Sequence, residues 1–350
     1  MVQLYGRAWT RAELSRYVAD MGQLAGIRPV AYQDGPEAGV RALEFRTGAG
    51  LSFTVLADRA MDVGLAEING VPLSFMTGVG YAHPAYYSGH GSDWLQTFPG
   101  GLFVTGGLDT FGQPADDEGQ SFGLHGRATA LAARGLSWDA DWDGDEYVLK
   151  ARGRMKQVSF HGEHLQLTRE ITAKLGENRF TLHDVVENLG TRPEAHMILY
   201  HFNIGFPLLD AGSVLNVDAH RTDGLNEHSQ GIVDRAKQVL GPEVGYKEEV
   251  VVHDVKIDDA GWASAAVVNA NFAGGHGGGR GLSLTIRYRK DELPYLWQWR
   301  NFRERGYVMG VEPGNAHMHG RAYNRERGTL PILEVGERRE YHLEITAALG

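Results

Sequence analysis

Beyond its first few dozen residues the chain is a succession of short strand-like runs broken by turn residues, a pattern that confines it to an all-β architecture. In Val40–Arg46 the second half alternates, with Leu43 and Phe45 on one face. Gly48-Ala49-Gly50 then turns the chain into Leu51–Leu56. Asn69-Gly70, between Leu65–Ile68 and Val71–Leu73, is a two-residue hairpin signal, because both residue types tolerate left-handed backbone. Further runs follow at Tyr147–Arg152, His164–Ala173, Arg179–Asn188, Glu194–Tyr200, Val250–Lys256, Gly281–Arg289, Tyr295–Phe302 and Arg338–Thr346. No segment repeats another. So many strands with turns between them predict a large antiparallel β-sandwich.

One helix is expected. Thr10-Arg11-Ala12-Glu13 is a capping box, in which the Thr side chain and the Glu side chain satisfy each other's backbone N–H groups. Leu14, Tyr17 and Val18 form an apolar stripe behind it. Residues 1–25 therefore read as a short N-terminal helical extension of a single domain spanning 1–350, with no linker in between.

With 350 residues, 42% of them hydrophobic and 22% charged, the chain has ample means to bury a core. A net charge of -10 disfavours nucleic acid and anionic membrane as partners. The absence of cysteine excludes disulfides, thiolate zinc sites and cysteine nucleophiles. Neither a secretory h-region nor a run of roughly 20 apolar residues is present. A cytoplasmic protein is expected, and a homo-oligomer is compatible with it.

Three segments bear the residue types of acid–base chemistry. Leu124-His125-Gly126 places an imidazole where the flanking backbone is thin. In Met197–Phe206, an apolar run, His201 and Asn203 leave one face of a strand while Tyr200 and Phe202 leave the other. Glu312, in Gly310-Val311-Glu312-Pro313, ends an apolar strand before a Pro-Gly turn, where partial desolvation would raise its pKa toward that of a useful base. A histidine and a glutamate can both be tuned to exchange protons near neutrality.

Other features compete for attention. Trp297 and Trp299 share a strand face and could stack on an apolar ligand surface or simply pack. His317 and His319 stand at i and i+2, as a strand-borne metal chelate would, but show no established ligand signature, so no metal is assigned. The run Gly274–Gly281 lacks the Lys-Ser/Thr ending of a phosphate cradle and reads as a flexible loop. Residues 77–123, rich in Gly, His, Tyr and Phe, form a long irregular stretch of the kind that carries function.

Taken in order, Leu124-His125-Gly126, His201-Phe202-Asn203 and Gly310-Val311-Glu312-Pro313 resemble the three active-site segments of the aldose 1-epimerase (galactose mutarotase) superfamily, and in particular its uncharacterised bacterial aldose-epimerase-like branch. The resemblance implies a galactose mutarotase-like supersandwich and a cofactor-free isomerase acting on a small-molecule carbohydrate. It implies Glu312 as base at the anomeric hydroxyl, His201 as acid at the ring oxygen, His125 as a second ring contact and Asn203 as an orienting group. The superfamily's Gly-Arg-x-x-Asn-Arg segment has no counterpart in Gly106–Thr110, which leaves Arg59 and Arg127 as alternative carriers of its arginine and Asp109 as a candidate for a sugar hydroxyl. Two alternatives remain at this point: a keto-sugar or uronate isomerase or lyase, metal-assisted or not, and a non-catalytic carbohydrate-binding protein.

Overall fold

A computed structural model describes residues 1–274 and 281–350. Gly275–Arg280, most of the glycine-rich run read above as a loop, lie outside the described residues. Two antiparallel sheets dominate, one 11-stranded and one 8-stranded. Down the middle of the larger sheet run Glu249–Val255, Tyr295–Arg303, Gly306–Gly314, Met197–Ile204, Phe103–Leu108 and Asp62–Ile68, in that order. In the smaller sheet Arg179–Asn188 lies between His164–Lys174 and Arg338–Leu349. This is the expected sandwich.

Strict alternation assembles the core. In His164–Lys174 and Arg179–Asn188 every second residue is buried, and Leu165, Leu167, Ile171, Phe180, Leu182 and Val186 meet Ile198, Tyr200, Phe202, Met309 and Val311 of the larger sheet. A charged knot sits within this apolar layer. Arg169 donates to Asp184 at 2.7 Å and to Asp62 at 3.1 Å. The Tyr200 hydroxyl donates to Asp184 at 2.7 Å, and Thr105 and Thr129 hydroxyls donate to Asp62 at 2.6 and 2.8 Å. Both carboxylates and the guanidinium are buried, so each stays tolerable only through these partners.

The hairpin at Asn69-Gly70 forms as expected, with φ of 52° and 78° at its two central residues. The capping box at Thr10 also forms, yet the helix ends after one turn, at Arg11–Leu14. Only Leu14 of its stripe is buried, whereas Tyr17 is exposed and meets the edge of Trp9. A short hairpin, Val2–Leu4 with Arg7–Trp9, precedes it. Among the described residues no helix is long and apolar enough to cross a membrane.

Within residues 77–123 the structure places a central strand, Phe103–Leu108, that the sequence conceals. Its glycines are the reason: a Cβ on Gly107 would strike the Met197 carbonyl, and one on Gly106 would press on Leu199 and Phe111. Glycine weakens a strand signal, but here it permits the close approach that lets the strand pair with Met197–Ile204.

Candidate active site

The face of the larger sheet turned away from the smaller one carries the cluster. Strand pairing sets it. Leu199 opposes Gly314 and Phe202 opposes Val311, a register that puts His201 across from Glu312, while Val104 flanks His201 on its other side and Trp297 flanks Glu312. His201 Nε2 lies 3.3 Å from Glu312 Oε1, and the two side chains are 7% and 2% exposed.

His125 arrives from a loop rather than a strand. It holds φ at 54°, a left-handed conformation that histidine tolerates better than most residues. The loop is pinned by its backbone: Leu124 N–H donates to Gly91, His125 N–H to Gly112, and Gly107 N–H to the His125 carbonyl. A side chain at Gly123 or Gly126 would collide with carbonyls of Gly89, Gly107 or Thr110, so only glycine allows this crossing. The His125 ring then stands edge-on to His201, with 5.5 Å between centroids and an 85° interplanar angle.

These three groups line a cavity of about 200 Å³ together with Ser92, Trp94, Phe98, Gln113, Glu248 and Trp299. Trp94 packs on His125 at 4.9 Å, and Trp299 meets His201 at 5.6 Å with its Nε1–H donating to Glu248 at 3.0 Å. His125 Nδ1, His201 Nδ1, Glu312 Oε1 and Trp94 Nε1 are buried without hydrogen-bond partners. Buried polar atoms are ordinarily paired, so a concentration of unpaired ones around one hollow marks a place built to receive polar groups from outside. Burial pushes His201 down to about 4 and His125 down to about 3, and it pushes Glu312 well above the usual carboxylate range. Burial thus works against the charged form of all three groups.

The remaining sequence candidates divide. Trp299 lines the cavity; Trp297, two residues along the same face, is fully buried and instead packs against His317 at 4.8 Å. Asn203 donates to the carbonyls of Gly101 and His201 at 3.2 and 3.0 Å, bracing the strand beside the cavity. Asp109 and Arg127 border a different hollow, where Arg127 pairs with Glu163 and burial raises Asp109. Arg59 is buried and donates to the carbonyls of Ala82 and Thr97 at 2.6 and 2.9 Å. His317 and His319 approach at 3.1 Å, Nδ1 to Nδ1, in a neighbouring cavity of about 500 Å³. Among the described residues, no third histidine or carboxylate groups with them to complete a metal-sized ligand set.

Sequence reasoning missed Trp94, Phe98, Gln113 and Glu248. Trp94, Phe98 and Gln113 lie in the irregular stretch singled out as functional, which was the available signal. It also missed Gly310. A Cβ there would overlap Glu312 Oε1, inside the 3.0 Å that real Cβ contacts respect, so the missing side chain is the space that the carboxyl group occupies.

A family model described as "Domain of unknown function (DUF4432)" matches residues 37–347. No curated protein sequence matches the chain. Among solved structures, a candidate aldose 1-epimerase of Klebsiella pneumoniae superposes with a TM-score of 0.84 at 26% identity, covering 92% of this chain and 83% of that one. A galactose mutarotase-like protein of Clostridium acetobutylicum gives 0.64 at 12% identity, covering 94% and 100%. A galactose 1-epimerase of Lactobacillus acidophilus gives 0.56 at 12% identity, covering 93% and 99%. At 12% identity the latter two speak for the fold alone.

Proposed function

This chain belongs to the family described as a domain of unknown function (DUF4432), a branch of the aldose 1-epimerase (galactose mutarotase-like) superfamily, and from that premise we propose that it is an enzyme that opens and closes the ring of a sugar and so interconverts its anomers. The observation that carries the reading is the meeting of His201, Glu312 and His125, from three distant segments, around one small cavity with unpaired polar atoms.

Ring opening requires loss of a proton from the anomeric hydroxyl, cleavage of the bond between the anomeric carbon and the ring oxygen, and gain of a proton by that oxygen. Rotation about the adjacent carbon–carbon bond and reversal of the same transfers yield the other anomer. The pair Glu312 and His201 supplies both transfers with a single proton. Burial works against charge on either group, so in this reading the proton starts on Glu312, which donates to the ring oxygen while neutral His201 accepts from the anomeric hydroxyl. The charged arrangement expected from the resemblance, Glu312 as base and His201 as acid, differs only by moving the proton across the 3.3 Å between them. Sugar hydroxyls entering the cavity supply hydrogen bonds to His201 Nδ1 and Glu312 Oε1, which lowers the cost of the charged form. Trp299 and Trp94 offer aromatic walls to the apolar side of a ring.

General acid–base catalysis contributes roughly 10²–10⁴. NMR anomer exchange across a panel of aldoses and sugar acids tests the proposal. The expected result is a substrate whose exchange is accelerated, with Glu312→Gln slowing it at least about a hundredfold. Uncatalysed rates across the panel, or full activity in that variant, would overturn it.

A further inference from the structure

A second cluster stands on the opposite side of the sandwich, on the outer face of the smaller sheet. His183 and His342 are direct cross-strand partners, and Glu340 lies two residues before His342 on the same face. The alternating residues Leu182, Tyr341 and Leu343 fill the core, so the three polar side chains point outward. The imidazole rings stack at 4.4 Å with 13° between planes. His183 Nε2 is 3.0 Å from Glu340 Oε2, and His342 Nε2 is 3.9 Å from the same oxygen. All three donor atoms lie within 4.8 Å of one another.

A fourth residue separates this cluster from an ordinary surface ion pair. Glu292, from the turn after Leu282–Arg289, accepts from His342 Nδ1 at 2.8 Å and from the His342 backbone N–H at 2.7 Å. A carboxylate gripping Nδ1 puts the proton there and leaves the Nε2 lone pair free, 3.9 Å from Glu340 Oε2. Metal-binding histidines are held this way, with the far nitrogen bonded to a carboxylate that fixes tautomer and ring. Neighbouring acids on this face are already committed, Glu170 to Lys150 at 3.2 Å and Glu344 to Arg287 at 2.8 Å.

From this geometry we propose that His183, His342 and Glu340 form a binding site for a divalent transition-metal ion of the zinc type, with Glu292 as the positioning residue behind His342. Two imidazoles and one carboxylate are a favoured donor set for that ion, which holds its ligands at about 2.0–2.2 Å. Two ligands at that radius in a tetrahedron stand roughly 3.3 Å apart, close to the separation already present between His183 and Glu340. To bind one ion the two stacked rings have to turn out of parallel so that both Nε2 lone pairs converge, and His342 Nε2 has to approach Glu340; the partial exposure of both rings leaves room for this. Water completes the coordination. Bound metal ties Arg338–Leu349 to Arg179–Asn188 and to the Glu292 turn.

The test is calorimetric titration of zinc chloride into tag-free protein previously stripped with EDTA, with melting temperature followed in parallel. One equivalent should bind at micromolar zinc and raise the melting temperature as zinc increases. His183→Ala and His342→Ala should abolish that binding. Glu292→Gln leaves all three ligands in place and should weaken it about 10–100-fold, while His317→Ala should leave it unchanged. Melting in EDTA verifies that each variant is folded, and Glu340→Gln serves as a substitution of nearly equal shape should either alanine variant fail. Absence of stoichiometric binding, or binding that survives both His183→Ala and His342→Ala, would overturn the site. Neither result bears on the catalytic cavity.

Discussion

Gly310→Ala offers the sharpest probe of how the carboxyl proposed as catalytic is held. Gly310 opposes Trp299 on one side and Asn203 on the other. An added methyl would overlap Glu312 Oε1 and come within 3.1 Å of both Glu312 Cδ and Trp299 Cβ. The nearest obstacle is the end of a flexible side chain, so the carboxyl group yields and the strand stays. Reaching ordinary contact at 3.4 Å takes a displacement of about 1 Å or more. Misplacing a catalytic group by that distance costs on the order of a hundredfold in rate. Folding stability, by contrast, should change by no more than about 1 kcal/mol, because alanine restricts the unfolded chain more than glycine does. Anomer exchange by NMR, on the substrate found in the aldose screen, gives the rate, and urea melts give the stability. A folded Gly310→Ala protein with native turnover would refute the idea that this glycine reserves the carboxyl's position. So would a collapse in stability, since the backbone would then be what cannot yield.

Three further outcomes follow from burial. If a single shared proton does the work, the acid limb of the pH–rate profile reflects protonation of His201 and should fall near pH 4, far below an ordinary histidine; a limb near 6.5 would contradict the neutral resting pair. Glu312→Gln should be more stable than the native protein at neutral pH. The native pKa of Glu312 is raised, so the contribution of its neutral form is complete below the unfolded value of 4.5 and is lost as pH rises through the folded one. The stability gap measured by urea should therefore vanish near pH 4.5 and widen upward by as much as about 1.4 kcal/mol per unit; a gap that does not vary with pH would exclude it. Arg169→Met strands Asp184 and Asp62 in the core without their cation and should cost about 3–5 kcal/mol, whereas a loss under about 1 kcal/mol would show the knot to be dispensable.

Strand periodicity makes the sandwich legible, and the same alternation puts His201 on the face opposite Tyr200. What alternation does not encode is distance along the sheet. Trp297 and Trp299 share a face, yet two residues of strand amount to about 6.7 Å, enough to move one indole from the cavity to its neighbour. Charged residues in loops carry still less positional information. Arg59, Asp109 and Arg127 were suggested by residue type, and the fold commits Arg59 and Arg127 to carbonyls and to Glu163 and places Asp109 beside another hollow. Phe103–Leu108 escaped notice because its glycines serve close packing at the expense of strand propensity.

Glycines also explain how an unpaired polar cluster can sit in the middle of a sheet. Strand centres are the most rigid places in a sandwich, and they are ordinarily filled on both faces. Here one face of Met197–Ile204 is locked by Tyr200 to the buried Arg169–Asp184 pair, so His201 inherits a backbone that cannot shift. On the other face Gly106, Gly310 and Gly314 of the flanking strands withhold their side chains, and a Cβ at any of them would crowd Leu199, Phe111 or the Glu312 carboxyl. Removing side chains beside a fixed strand produces a shallow floor whose polar groups cannot relax toward one another to satisfy their hydrogen bonds. That inability is what leaves His201 Nδ1 and Glu312 Oε1 unpaired and their pKa values displaced toward neutrality of charge. Rigidity behind the strand and emptiness in front of it are thus one arrangement. A substitution that loosens the knot at Arg169 should therefore erode the proposed anomer exchange as well as stability, although Arg169 lies on the far side of the sheet from the cavity.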